Sequence, residues 1–376
     1  MSSKLNIVSL FDGISCGRVA LDRAGIAVNS YVAFEIDRYA MSISRFNYPD
    51  ISQHGDVLDA DFSVYKGYDI VMGGSPCTFW SIAKSNREVD KTGNGWKLFM
   101  RFVEAVRLIK PRFFMYENVA SMPKNIKEYI TEELGAECIM INSALVSAQS
   151  RKRLYWTNIP NISQPEDKGI LLKDILISGV PYQDKSHCLT ASYDSAVFWN
   201  SIIRHQRSMI AEPIALKNKS QTIVSTLYKE NAQSMLKRGK TGLFCAHEAK
   251  SVETADQPDI IKNNAVSPVR VGQFASGGQG NRIYSVQGKS VSLMANGGGR
   301  GGKVGLYKVD LPDGDYIIRK LTPLEAERCQ TLPDNYTAFG VNDKNQVVNV
   351  SNTQRYKSIG NGWTVDVIAH IFSHIT

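Results

Sequence analysis

Three short stretches of this chain carry residues able to do chemistry. Cys77 sits in Ser75-Pro76-Cys77-Thr78, delivered by the apolar run Asp69-Ile70-Val71-Met72-Gly73-Gly74. A cysteine on a tight Gly/Pro turn just past a buried strand faces a crevice, where its thiolate can act as a nucleophile. A second apolar strand ends in Glu117-Asn118-Val119 and brings a carboxyl group that can give or share a proton. Gln149-Ser150-Arg151-Lys152-Arg153 adds guanidinium groups that can steady developing negative charge. Singly, each has a bland reading. Pro-Cys is mostly structural, Glu-Asn-Val says little, and Arg151 and Arg153 alternate as one solvated face of a strand would. In order, on adjacent elements of one sheet, they form a candidate catalytic set.

The elements that must position them alternate between strand and helix. Leu5 to Phe11, Tyr31 to Glu35, Asp69 to Gly74 and Arg112 to Tyr116 read as strands; Arg18 to Ala24, Arg38 to Phe46 and Trp96 to Ile109 read as helices. That alternation predicts an α/β fold with a doubly wound, mostly parallel sheet. After about Pro160 the texture turns irregular and rich in Gly, Ser, Asn and Lys. The bland reading of that stretch is a surface insertion; the alternative is a smaller β-rich module that docks on a polyanion. The boundaries predicted are 1–164 for the catalytic domain, 165–315 for the second domain, and 316–376 for a segment that returns to the first.

Composition excludes several classes. At 376 residues, with 43% hydrophobic and 21% charged residues, the chain suits an ordinary globular protein rather than a disordered one. No apolar stretch approaches the roughly 18 residues of a membrane span. Six scattered cysteines without a C-x-x-C pair predict neither a metal cluster nor a disulfide framework. All but Cys77 are read as buried small hydrophobes. The net charge of +8 permits a polyanionic partner without requiring one.

Phe11-Asp12-Gly13-Ile14-Ser15-Cys16-Gly17 lies on the first strand-to-helix turn, where glycines let a ligand approach the backbone. Glu35 closes the second strand, placed to accept from ribose hydroxyls, and Asp56 follows a third strand, placed to accept from an adenine amino group. Each acid alone is most simply a solvated loop carboxylate. Together, on successive strand ends, they favour an adenosyl ligand, and the lack of a full G-x-G-x-x-G spacing argues against a dinucleotide.

The chain resembles the cytosine-C5 DNA methyltransferases over residues 5–160 and 319–370. The motifs that carry the resemblance are Phe11, Gly13 and Gly17; the acids Glu35 and Asp56; Pro76-Cys77 with Ser81; Glu117-Asn118-Val119; Gln149, Arg151 and Arg153; Arg319 to Glu325; and Gly360-Asn361-Gly362. The resemblance implies a Rossmann-like, class I methyltransferase fold with a target-recognition domain. S-adenosylmethionine would be held by Phe11, Gly13, Gly17, Glu35, Asp56, Pro76 and Asn361. Cys77 would add to C6 of a cytosine flipped out of duplex DNA, with Glu117 at N3 and Arg153, with Arg151, at O2. Ser81, Lys84, Arg87, Lys91, Gln149, Arg282 and Arg300 would contact DNA. A monomeric, cytoplasmic enzyme of the kind found in restriction-modification systems, associated with the nucleoid and needing no metal, is the expectation. The chain departs from the family's pattern at Ser15-Cys16, at Thr78-Phe79-Trp80, and at Gly362-Trp363, where Ser-Val is usual. Two other readings compete: an RNA cytosine methyltransferase with the same chemistry, and a catalytically silent DNA-binding relative.

Overall fold

The computed structural model describes residues 4–82, 86–181, 183–195, 207–213, 252–253, 270–274, 282–285, 306–308 and 316–375. Short apolar runs bounded by turns form the strands of the main sheet. They are β1 (Leu5–Leu10), β2 (Val28–Phe34), β3 (Ser52–Gln53), β4 (Ile70–Gly73), β5 (Phe113–Val119), β6 (Cys138–Asn142) and β7 (Lys152–Thr157). Their order is β3-β2-β1-β4-β5-β7-β6. β1 to β5 pair in parallel, whereas β7 runs antiparallel to both β5 and β6. The mostly parallel sheet read from the sequence is therefore the one that forms.

Strands buried on both faces need helices over them. The chain supplies α1 (Cys16–Arg23), α2 (Arg38–Asn47), α3 (Asn94–Ile109) and α4 (Lys124–Leu134) between strands. Val8, Leu10, Val71, Phe99, Phe102 and Trp156 are among the buried side chains of one apolar cluster. The chain leaves β1 towards β2 on one side and reaches β4 on the other. That reversal opens a crevice beyond the strand ends, the usual ligand position in open α/β sheets. The loops after β1 and β4 are the two that flank it.

The short helix α5 (Leu172–Ile175) follows. The first compact unit takes in Met1–Ile175, Lys185–Asp194 and Thr322–Thr376. Lys185–Asp194 thus belongs to it, although that segment lies inside the stretch read from the sequence as the second domain. The second unit, Leu176–Asp184 with Ser195–Leu321, holds two small sheets. β8 (Val180–Pro181), β9 (Met209–Pro213) and β14 (Tyr316–Lys320) form an antiparallel set in the order β14-β9-β8. β10 (Val252–Glu253), β11 (Arg270–Phe274), β12 (Arg282–Ser285) and β13 (Leu306–Lys308) form the other.

The last segment of the first unit contributes α6 (Pro323–Cys329), α7 (Asn352–Asn361) and α8 (Val365–Phe372). Thr322 and Glu325 cap α6 reciprocally, each side chain accepting from the other's backbone N–H. Glu327, fully buried on α6, accepts from the N–H groups of Asn335 and Thr337 (each 2.8 Å) and from Arg355 Nη2 on α7 (2.9 Å). That pair ties α6 to the helix whose end carries Gly360-Asn361. Glu327→Ala leaves Arg355 and two amides without their acceptor, at a cost of about 3–5 kcal/mol. The expected drop in thermal midpoint is on the order of 10 °C by calorimetry; a drop under roughly 2 °C would show that the pair does not hold this segment.

Candidate active site

Cys77 opens a 3-10 turn, Cys77–Phe79, immediately after β4. The turn is tied down from β5. Asn118 Nδ2 donates to the Ser75 carbonyl (3.1 Å) and to Tyr116 Oη (3.2 Å), and Ser75 Oγ meets the same phenol at 2.6 Å. The middle residue of Glu-Asn-Val thus anchors the neighbouring Pro-Cys loop. On the other side of the turn, Trp80 is fully buried in the apolar cluster, which accounts for the bulky residues after Cys77.

Glu117 and Arg153 come together because β7 is antiparallel to β5. Val119 pairs with Arg153 and Glu117 with Tyr155, so the start of β7 lies beside the end of β5. Arg153 Nε stands 2.9 Å from Glu117 Oε1, and both side chains are largely buried. The second carboxylate oxygen, Oε2, accepts from Trp363 Nε1 at 3.1 Å.

Two thiols share this environment. Burial pushes the Cys77 thiol up, the Arg153 guanidinium opposes that, and the nearby Glu117 carboxylate adds to it. Cys188 accepts from Arg151 Nη1 at 3.3 Å and from Arg153 Nη2 at 3.9 Å. Burial also resists its ionisation, but the two guanidinium groups outweigh burial and hold it below the usual thiol range. Cys188 is therefore not the inert core cysteine read from the sequence. No local signal marks it, because its arginine neighbours are 35 or more residues away in the chain.

Arg151 differs from the base contact expected of it. Nη1 donates to the Leu189 carbonyl (2.8 Å), and Nη2 donates to those of Gly360 (3.2 Å) and Gly362 (3.0 Å). A buried guanidinium spent on carbonyls organises the loops around the site. Gln149 is a correction. It is fully buried, donates from Nε2 to the Cys329 carbonyl (3.2 Å) and Gln330 Oε1 (3.1 Å), and accepts from the Leu189 N–H (2.6 Å). Its polar atoms are taken up by protein partners rather than turned outward.

At the cofactor end, Phe11 and Gly13 both have left-handed backbones, with φ of 57° and 60°. Gly13 N–H donates to Glu35 Oε2 (2.8 Å), while Glu35 Oε1 accepts from the N–H groups of Ile36 (2.8 Å) and Asp37 (2.7 Å). Asp56 accepts from the Leu58 N–H at 2.9 Å. Gly17 is a packing glycine: a Cβ there would meet Met72 at 2.6 Å and Trp363 at 3.3 Å. Gly13 and Gly55, beside the two acids, instead face open space. Acceptor-rich strand ends next to open space fit an adenosyl ligand. Pro76 and Asn361 are exposed, the latter closing α7. Beneath the loop, Asp12 accepts from Tyr31 Oη (2.6 Å) and Ser15 Oγ (2.5 Å), and burial raises its carboxyl to about 6.

The residues expected at DNA are scattered. Ser81 N–H donates to the Cys77 carbonyl (2.9 Å), and Arg87 Nη1 donates to that of Ser121 (2.8 Å). Lys91 lies over the Tyr129 ring at 4.4 Å, within 4 Å of Glu132 and Glu133. Lys84 and Arg300 lie outside the described residues, and Arg282 opens β12, of which only the backbone is described. No group of residues able to hold a metal ion occurs among the described residues, and no described helix is long and apolar enough to cross a membrane.

A mostly parallel sheet of this order, with a reversed β7 and a ligand loop after β1, is the Rossmann-like methyltransferase architecture. The solved structure of the Entamoeba histolytica methyltransferase EhMeth matches it with a TM-score of 0.57 at 15% identity, over 99% of this chain and 98% of that one. The family model of the C-5 cytosine-specific DNA methylases matches residues 5–376, and the chain belongs to that family. It is 25% identical to the Type II methyltransferase M.HhaI of Haemophilus parahaemolyticus, over 99% of this chain and 94% of that protein. It is also 25% identical to the orphan methyltransferase M.Rho11sI of Bacillus phage rho11s, over 82% of this chain, but spans only 61% of that protein. Family and fold together imply S-adenosylmethionine as the methyl donor.

The contrast between the two thiols is testable. Burial pushes Cys16 and Cys329 up to about 12, so neither competes at neutral pH. Only the thiolate alkylates. A thiol held low keeps reacting as pH falls; one pushed high loses its thiolate first. Iodoacetamide labelling read by peptide mass spectrometry should mark Cys188 ahead of Cys77, with the gap widening from pH 8.5 to 6.5. Equal rates with one shared pH dependence would refute the assignment.

Proposed function

We propose that this chain transfers a methyl group to C5 of a cytosine in duplex DNA after drawing the base out of the stack. The observation that carries the reading is the meeting of Cys77, Glu117 and Arg153 at one end of neighbouring strands, with Arg153 Nε 2.9 Å from Glu117 Oε1. C5 of cytosine is a poor nucleophile until something adds at C6. Cys77, once deprotonated, forms a bond from sulfur to C6, and the C5–C6 π pair shifts towards C4 and N3. Glu117 holds the proton that N3 takes up, and Arg153 balances charge on the carboxylate and at the neighbouring O2. S-adenosylmethionine supplies, when bound, the electrophilic methyl group that C5 takes. Loss of the C5 proton to solvent then lets the electron pair re-form the C5–C6 double bond and expel Cys77 as thiolate, and N3 returns its proton to Glu117. A base buried in a stack cannot be attacked from this crevice, which is why the target must be flipped.

Glu35 and Asp56, with Phe11, Gly13, Pro76 and Asn361 around them, would hold the donor. We assign reading of the target sequence to the second compact unit, where the family's variable region falls. The loop from Thr78 to Trp96 would cover the flipped base.

The test is transfer of labelled methyl from S-adenosylmethionine to unmethylated genomic DNA, with base analysis and bisulfite sequencing. The expected product is 5-methylcytosine in one fixed context. Label on RNA and none on DNA would overturn the DNA assignment, and label on neither would overturn the activity. Cys77→Ser should cut turnover by at least on the order of 10³-fold, as removal of a nucleophile does. Its S-adenosylhomocysteine affinity by equilibrium dialysis should stay within about twofold, because the donor pocket does not use the thiol.

A further inference from the structure

Trp363 follows the Gly360-Asn361-Gly362 turn, and its indole reaches the carboxylate on β5. We propose that Trp363 is a positioning residue for Glu117: its indole N–H fixes the rotation of the carboxylate that serves N3. The inference rests on the reading of Glu117 given above and goes beyond it.

A carboxylate ends in a torsion with a broad, roughly two-fold profile, so one hydrogen bond leaves its plane poorly defined. Arg153 Nε engages Oε1 at 2.9 Å, and Trp363 Nε1 engages Oε2 at 3.1 Å. Donors on both oxygens set the plane. Each oxygen keeps a further lone-pair site, so one side of Oε2 stays available to the base. An indole N–H also carries no formal charge, and it orients the group without adding a second cation beside Arg153.

Trp363 is itself held firmly enough to orient something else. A Cβ on Gly17 would lie 3.3 Å from Cζ3, and one on Gly74 would lie 3.4 Å from Nε1, so two glycines make room for the ring. Its flanking residues are pinned by Gln330. Nε2 of Gln330 donates to the Gly362 carbonyl (3.2 Å), and its Oε1 accepts from Thr364 Oγ1 (2.7 Å). Arg151 Nη2 donates to the same Gly362 carbonyl at 3.0 Å. Unlike Trp80, Trp96 and Trp156, this tryptophan is only half-buried and lies outside the main apolar cluster. Core filling is not its work.

The test compares Trp363→Phe, which keeps a ring and loses the N–H, with Trp363→His, which keeps a ring N–H. Two reactions are followed: methyl transfer, and tritium release from DNA containing [5-³H]cytosine with S-adenosylhomocysteine present. Tritium release needs addition of Cys77 and the proton at N3 but no methyl donor. Trp363→Phe should lower kcat and tritium release together by roughly 10- to 100-fold, the scale of a misplaced acid–base group, leaving the donor KM and S-adenosylhomocysteine Kd within about threefold. Trp363→His should recover part of both. In a Glu117→Gln background, Trp363→Phe should cost nothing further, the mark of a residue acting through another. Unchanged kcat and release would overturn the proposal, and so would a loss confined to donor KM and Kd, which would make Trp363 a wall of the donor pocket. The same double-mutant cycle read by thermal unfolding needs no substrate and should be non-additive; additivity there would also overturn it. Wild-type protein inactive on DNA but with a non-additive thermal cycle would fault the reading of Glu117, not the contact.

Discussion

A guanidinium taken out of water must find acceptors, and Arg151 finds them on segments far apart in the chain. Its Nη1 and Nη2 reach the carbonyls of Leu189, Gly360 and Gly362. Gln149, two residues earlier, ties the same region to Cys329 and Gln330. Leaving such a charge uncompensated is strongly unfavourable, so these segments converge or the region does not close. Almost everything chemical in the molecule sits on that knot. It holds Cys188 beside the arginines, sets the loop that carries Trp363, and leaves Arg153 as the guanidinium that faces Glu117.

The sheet was legible in the sequence because buried parallel strands announce themselves as short apolar runs ended by glycine, proline or acid. The placement of Cys77 just after β4 and of Glu117 near the end of β5 was legible for the same reason, since each follows such an apolar run. Arg153 was legible only as part of a motif; its place beside Glu117 depends on β7 running backwards, which periodicity does not report. Gln149 and Arg151 could not be told from surface residues, because the carbonyl and amide partners of their side chains lie from 38 to 211 residues further along the chain. Cys188 and the indole contact of Trp363 were illegible on the same ground. Long-range partners define them, and nothing local does.

The electrostatics of the crevice are divided between its two thiols. Burial pushes the Cys77 thiol up, with Arg153 opposing it, whereas at Cys188 the two arginines outweigh burial and hold the thiol down. A thiol kept neutral is protected from adventitious alkylation and oxidation, since both act on the thiolate.

The closing segment also gives the molecule an order of completion during synthesis. Arg151 and its acceptor Gly360 are separated by 209 residues. At ribosomal speeds of roughly 5–20 residues per second, that interval lasts on the order of 10–40 s. Until it has passed, the nascent chain can pair β1 with β2 and β4 with β5, but the arginine has only part of its acceptor set and Glu117 lacks the indole. The crevice is therefore assembled early in outline and finished late, and a ribosome-bound chain carries Cys77 and Glu117 before it carries the segment that closes around them.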